Sequence, residues 1–475
     1  MLFNSLEYLL FLPIVFALYW GLNKKSLQLQ NVLLLASSYF FYACWDWRFL
    51  FLLMFSTALD YFTGIKMHEA TSQGKKKFWF WLSIGINLGF LGIFKYYNFF
   101  ADSFASLLSG FGFEANFWTL QIILPVGISF YTFHGLSYVI DIYKDRIKPE
   151  KNVVEYSLFV SYFPLLVAGP IERATHLLPQ IKKRRVFDYD KAVEGVCQII
   201  WGLFKKIVVA DNCAFFVNQL FDNSDRYSAG ELWVGAVFFA FQIYGDFSGY
   251  SDIALGTSKL FGIDLLKNFK FPYFAKDIAD FWRRWHISLS TWFRDYLYVP
   301  LGGSHGSMGL KVRNTFIIFL VSGFWHGANW TFIVWGALHA VLFLPLLLAN
   351  KNRNNLMDQG YGFKDIPKIV LTFLLVCFAW VFFRADNLHE ALQYVAGMFN
   401  VNDFGFGFFY KNAKYTLLTL ISLLSILVLI AIEWKNLRQG KSEVLLSKKA
   451  VFVLLLLLFF MGAYKNQLSF IYFQF

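Results

Sequence analysis

Charge is what this chain has least of. Lys, Arg, Asp and Glu make up 16% of its 475 residues, where a soluble globular chain averages about 25%. With 57% hydrophobic and 21% aromatic residues, a polytopic membrane protein is the class that fits. Cysteine is scarce as well. Cys44, Cys197, Cys213 and Cys377 form no CxxC pair and lie in or beside apolar runs. They read as small buried hydrophobes, and neither a metal site nor a disulfide framework is expected. There is no Walker loop and no HExxH, so ATPase and zincin readings lack support. No span carries a ladder of charges of the kind a proton pump needs. No basic residue precedes the apolar run Met1–Trp20, while Lys24 and Lys25 follow it. A secretory signal has the reverse order, so a retained first span is expected. No repeat of fixed period or low-complexity tract divides the chain, and residues 1–475 are expected to form a single integral domain.

The net charge of +12 raises the question of nucleic acid, but the basic residues sit in short loops between apolar runs. That is the pattern of the positive-inside rule, and the expected partner is the lipid bilayer. Apolar runs begin near Leu6, Asn31, Phe49, Phe78, Leu120, Tyr156, Val193, Leu232, Thr315, Trp330, Lys368, Tyr415 and Ala450. They predict an all-α fold of about 11–13 membrane segments. The basic clusters Lys24–Lys25, Lys75–Lys77, Lys144–Lys151, Lys182–Arg185 and Lys435–Lys449 are expected in the cytoplasm, and the Lys- and Arg-free stretch Asn98–Leu120 outside, with the N-terminus. Tyr156–Ile171 and Asn314–Asn350 each have basic flanks on both sides. Each should therefore enter and return, which requires that protein or water shield its backbone.

The most informative stretch is Ser322-Gly-Phe-Trp-His-Gly-Ala-Asn-Trp330. It lies in the 37 residues from Asn314 to Asn350, where only His326, Asn329 and His339 are strongly polar away from the ends. As one helix the run would be ~56 Å long against a hydrocarbon core of ~30 Å. The chain must bend, most easily at Gly323 or Gly327, which puts His326 near the tip of a hairpin. A histidine at that depth serves a wet cavity or glues two helices by a hydrogen bond, and this stretch alone leaves both open. The segment Lys267–Arg313 is basic yet aromatic. Between Lys276 and Leu297, Ile278, Phe281, Trp282, Trp285, Leu289, Trp292, Phe293 and Tyr296 form one helical stripe, with Asp280, Arg283, Arg284, Arg294 and Asp295 opposite. One amphipathic helix at the cytoplasmic surface is expected, with His286 at the stripe's edge beside Trp282 and Phe293. Tyr244-Gly-Asp246-Phe-Ser248-Gly-Tyr-Ser-Asp252 adds polar groups at membrane level, either as a capped glycine-rich helix end or as part of a site.

These residues carry a resemblance. Arg283-Arg-Trp-His286-Ile-Ser-Leu-Ser-Thr-Trp-Phe-Arg294-Asp-Tyr296, followed by Trp325-His326-Gly-Ala-Asn329-Trp330, resembles the paired signatures of the membrane-bound O-acyltransferases. The chain is similar to the family's bacterial alginate O-acetylation branch. Asp246–Asp252, Leu124-Pro-Val-Gly-Ile-Ser-Phe-Tyr-Thr-Phe133 and Ala168-Gly-Pro-Ile171 match that branch too. Two departures are Gly245, where a bulkier residue is usual, and a less basic stretch after Gly303. The resemblance implies re-entrant hairpins around a central funnel in a bacterial inner-membrane protein. It implies His326 as the signature histidine and His286 as the second. It also implies transfer of an acyl group, acetyl from a cytoplasmic acetyl-CoA donor, to hydroxyls of an extracytoplasmic polysaccharide or peptidoglycan, directly or through a periplasmic acetyltransferase partner. No permanently bound cofactor and no metal are implied. Burial disfavours imidazolium, so His326 should stay neutral and able to accept a proton. Trp325 and Asn329 are candidates to orient the ring or the acyl oxygen, Asp246, Ser248 and Asp252 to line the site. Arg283, Arg284 and Arg294 are candidates to bind the donor's phosphates, or else plain cytoplasmic anchors. Two alternatives are a D-alanyl transferase for teichoic acid, which shares the Arg-Trp-His and Trp-His motifs, and a non-catalytic channel or scaffold for a partner enzyme.

Overall fold

A computed structural model of the chain describes residues 1–22, 26–113, 124–167, 169–355, 360–464 and 470. The predicted start near Leu120, the cluster Lys24–Lys25 and Ala168 of the Ala-Gly-Pro-Ile motif lie outside the described residues. The regular elements among those described are all helices, without a strand, as the apolar runs predict. They fall into two compact units, Met1–Gly195 with Ala254–Leu266, and Val196–Ile253 with Lys267–Phe475.

The first unit holds α1 (Leu6–Gly21), α2 (Leu27–Glu69), α3 (Gln73–Leu91), α4 (Tyr97–Gly110), α5 (Ile128–Tyr143), α6 (Val153–Ser161), α7 (Phe163–Leu166), α8 (Ala174–Lys182) and the start of α9 (Tyr189–Leu203). The apolar runs near Asn31 and Phe49 are two arms of the 43-residue α2, bent where Asp46 leaves helical geometry at φ −157°. Helix α3 runs into α4 through a π-turn at Gly92–Tyr96. The Tyr156–Ile171 stretch falls in α6 and α7, nine and four residues long and buried from Tyr156 to Leu166. Both are too short to cross ~30 Å. A buried carboxylate, Asp60, is satisfied by Ser83 at 2.6 Å and Asn87 at 2.8 Å.

The second unit carries the two histidines. It contains the end of α9, a π-helical turn Phe204–Ala210, α10 (Asp211–Asp222), most of α11 (Ala229–Leu260), α12 (Ile278–Arg284), α13 (Ile287–Phe293), α14 (Met308–His326), α15 (Trp330–Leu348), α16 (Ile366–Arg384), α17 (Leu388–Met398), α18 (Ala413–Arg438) and α19 (Lys448–Met461). Five helical stretches among the described residues are long and apolar enough to cross a membrane: α2, Gln73–Gly110, α15, Phe363–Arg384 and α18. Helix α11 has the length, 32 residues, but holds Asp246 and Asp252 in its course.

The expected hairpin is present. Helix α14 starts at a Ser307 cap, whose side chain accepts from the Leu310 N–H, and ends at His326, while α15 starts at an Asn329 cap. Its two arms cross at glycines. A Cβ on Gly336 would lie 2.3 Å from the Phe319 carbonyl oxygen, and one on Gly323 would lie 2.2 Å from that of Phe332. Backbone contact of this kind lets helices associate where no hydrophobic effect drives them. Gly336→Val should therefore force α14 and α15 apart and cost at least ~1–3 kcal/mol as an overpacked core does. The check is the thermal unfolding midpoint of the purified variant in detergent, and an unshifted midpoint would contradict the tight crossing.

One expectation is corrected. The stripe from Lys276 to Leu297 is not a single surface helix but two seven-residue helices, α12 and α13, followed by a π-turn at Arg294–Tyr298. Tertiary pairing breaks it. The Lys270 N–H donates to the Arg284 carbonyl at 3.0 Å and the Ile287 N–H to the Asn268 carbonyl at 2.8 Å, so Trp285 and His286 are drawn out of the helix. Nor do the charges all face out: Asp280 and Arg284 are buried and paired at 2.8 Å.

Candidate active site

His326 is the last residue of α14, placed there by the bend that Gly327 permits. A Cβ at Gly327 would lie 2.0 Å from the Phe332 ring, so only glycine lets the chain turn this closely. The His326 ring is buried, edge-on to Trp335 at 5.3 Å and to Phe383 at 5.4 Å between ring centroids. Trp335 in turn stacks on Trp380 at 5.6 Å, which packs on Trp285 at 5.0 Å. The wall beside His326 is thus a continuous aromatic body from α15, α16 and the break between α12 and α13. Half-buried Trp325 adjoins His326, but adjacent helical residues leave on different faces. Asn329 serves the turn: its amide oxygen accepts from the Thr331 N–H at 3.1 Å and its nitrogen donates to the Asp386 carbonyl at 2.6 Å.

His286 comes from the break between α12 and α13. Its backbone is left-handed, φ 43°, and its ring is buried edge-on to Phe247 at 4.7 Å and nearly parallel to Phe269 at 6.5 Å. The expected neighbours Trp282 and Phe293 are replaced by these two, because the helix break turns the ring toward α11. Among the described residues the buried Nδ1 of His286 has no hydrogen-bond partner. The two imidazoles, 40 residues apart in the chain, lie 6.5 Å apart between ring centroids. A third histidine, His339, accepts from the Trp282 indole at 3.2 Å, while its ring packs at 4.9 Å on Trp335, the residue that also meets His326.

A recess of about 640 Å³ adjoins this site. Lys311, Thr315, Phe319 and Ser322, successive positions on one face of α14, line it together with Arg294, His305 and Arg353. Ser322 stands four residues before His326, so the inner end of the recess is one helical turn from that imidazole. A second recess of about 400 Å³ is lined by Lys270, Arg283, Arg284 and Arg294 and shares Trp282, Ser290 and Arg294 with the first. Arg283 donates to the Asn352 carbonyl at 2.9 Å and stays partly exposed. Arg284 is engaged within the fold, bonded to Asp280 at 2.8 Å and to the Tyr361 hydroxyl at 2.5 Å. Arg294 is exposed and pairs with its neighbour Asp295 at 2.8 Å.

The acidic motif on α11 is paired with cations. Asp246 pairs with Lys206 at 2.8 Å, Lys206 also with Asp211 at 2.8 Å, and Asp252 with Lys205, which donates to Ser248 at 2.8 Å. Both lysines sit on the π-turn Phe204–Ala210 and are buried. Ser248 and Asp252 are four apart and so share one helix face, whereas Phe247 and Ser251 share the face that meets the histidine segment. Lys206→Met leaves two buried carboxylates without their cation, a change of a kind that costs about 3–5 kcal/mol. The variant should fail to accumulate or should unfold well below the parent, measured by its yield and unfolding midpoint.

Sequence reasoning did not find Asn268, Trp335, Phe383 or the paired lysines. His339 was visible as a polar break in the α15 run, and the Lys205-Lys206 pair as charges inside an apolar stretch. Nothing local marks Trp335 or Phe383 among so many aromatic residues.

The profile of the membrane-bound O-acyltransferase family matches residues 148–385, a span that contains both histidines. The chain is similar to the probable alginate O-acetylase AlgI of Pseudomonas putida, with 40% identity over 405 residues covering 85% of this chain and 81% of that protein. It is 37% identical over 434 residues to the peptidoglycan O-acetyltransferase of Helicobacter pylori, covering 85% and 80%. Against the teichoic acid D-alanyltransferase of Bacillus subtilis the identity is 28% over 282 residues, covering 57% and 71%.

Proposed function

The chain belongs to the membrane-bound O-acyltransferase family, and from that premise we propose that it moves an acetyl group from cytoplasmic acetyl-CoA to a hydroxyl of an extracytoplasmic polysaccharide or peptidoglycan. It is a multi-pass membrane enzyme, an O-acyltransferase. The bacterial relatives support an inner-membrane location and an acetyl rather than a D-alanyl group, because the acetylating relatives match more closely and over more of the chain. The observation that carries the reading is the recess along α14, which runs from a cationic rim of Arg294, Lys311 and Arg353 inward to Ser322, one helical turn before His326.

In this reading the anionic part of the donor rests against the rim and its thioester arm lies along α14, sparing the charges from lipid. The acceptor oxygen attacks the thioester carbonyl. His326 takes the hydroxyl proton, the C–O bond forms, the C–S bond breaks, and the proton passes to the departing thiolate. His286 stands close enough to His326 for one reacting group to lie within reach of both rings. The acceptor is a free glycan hydroxyl or a carrier residue on a periplasmic acetyltransferase partner, both of which this chemistry serves equally.

The test is acetyl-labelled acetyl-CoA supplied to the cytoplasmic face of protein in vesicles. Alginate oligosaccharide or peptidoglycan fragments are supplied on the other face, with and without the periplasmic partner. Label should reach the acceptor or partner. Consumption of a D-alanyl carrier-protein thioester in place of acetyl-CoA would favour teichoic acid chemistry, and transfer of neither would leave a scaffold. Arg294→Gln combined with Arg353→Gln should raise the acetyl-CoA KM about tenfold and leave kcat nearly unchanged, as loss of one charge-assisted contact common to ground and transition states does. An unchanged KM in a well-inserted variant would return these arginines to cytoplasmic anchoring.

A further inference from the structure

We infer that Asn268 is a positioning residue for acyl transfer, holding His286 in the orientation the reaction uses. The inference rests on the reading of His286 as part of the transfer site.

His286 is one of four non-glycine residues with positive φ among the described residues. A left-handed conformation costs a residue with a Cβ, and it persists only where the surroundings over-determine it. Here a buried asparagine supplies much of that determination, beside the Lys270 N–H bond to the Arg284 carbonyl. The Asn268 carbonyl accepts from the Ile287 N–H at 2.8 Å. Its Oδ1 accepts from the Ser288 hydroxyl at 2.5 Å, and its Nδ2 donates to Ser251 Oγ at 3.1 Å. Three bonds from one residue therefore tie the two positions after His286 to α11. On α11, Ser251 stands one turn from Phe247, the ring against which His286 packs at 4.7 Å. The anchor and the backstop of the imidazole thus share one helix face.

The amide is suited to this in a way other side chains are not. It offers an acceptor and a donor in one plane, and both are used in opposite directions. Leucine has a similar size and neither function. Aspartate keeps the oxygen facing Ser288, and its second oxygen can accept from the Ser251 hydroxyl.

Misplacing a reacting group by about 1 Å can cost on the order of 10²-fold in rate. Asn268→Leu should accordingly lower kcat about 10- to 100-fold and leave the acetyl-CoA KM and the detergent unfolding midpoint close to the parent. Asn268→Asp should recover most of that rate. His286→Ala is measured beside them on the full-length protein in vesicles. If His286→Ala is impaired and Asn268→Leu keeps the parental kcat, the positioning role is overturned and the histidine reading stands. If His286→Ala is itself silent, the histidine reading falls and takes this inference with it. Equal losses in kcat and unfolding midpoint without recovery in Asn268→Asp would make the asparagine purely structural. Should Asn268→Leu not accumulate, Ser288→Ala removes one bond alone and should still lower kcat several-fold, and an unchanged kcat there would overturn the proposal.

Discussion

Replacing His326 by alanine will lower acyl transfer about 10²–10⁴-fold while the protein still inserts and accumulates. The size follows from the task. A general base lost from a transfer step is not replaced by water in a site walled by Trp335, Phe383 and the Trp380–Trp285 pair. The integrity of the fold does not depend on the imidazole in the same way, because α14 and α15 are held by their glycine crossing and by the Asn329 cap. The measurement is label transferred from acetyl-CoA at saturating donor, normalised to inserted protein. A variant that kept near-parental transfer would remove His326 from the chemistry and leave it as a hydrogen-bonding residue between helices.

His286→Ala carries the second-largest expected effect, a loss of about 10²-fold or more in kcat. Its ring is buried, it faces His326 at 6.5 Å, and the chain adopts a strained backbone to put it there. Residues that act as a unit give grossly non-additive losses. The double variant His286→Ala with His326→Ala should therefore be little worse than His326→Ala alone. A double variant whose loss equals the product of the two single losses would show that the imidazoles act independently. A silent His286→Ala would assign that residue to packing against Phe247.

The hairpin of α14 and α15 was legible in the chain because its causes are local. A run too long for one crossing, with glycines and basic flanks on both sides, has to bend, and His326 falls at the bend. The apolar runs likewise announced an all-helical membrane protein, and two long motifs announced the family before any contact was known. The break at Trp285–His286 was not legible. The local period from Lys276 to Leu297 is that of one helix, and it is overruled by backbone bonds to Asn268 and Lys270, residues that precede the stripe. The same holds for Asp246 and Asp252. Their sequence shows polar groups at membrane depth, but only the approach of the π-turn with Lys205 and Lys206 decides which cations they pair with. Arg284 reads as an exposed charge until Asp280 and Tyr361 are seen to enclose it. Membrane class, helical content and the placement of His326 thus follow from the amino-acid order, since hydrophobic period and chain length act within a few turns. The meeting of His286 with His326, and the pairing of Asp246 and Asp252 with the two lysines, follow only from tertiary contact, because those energies belong to pairs of residues that no local period relates.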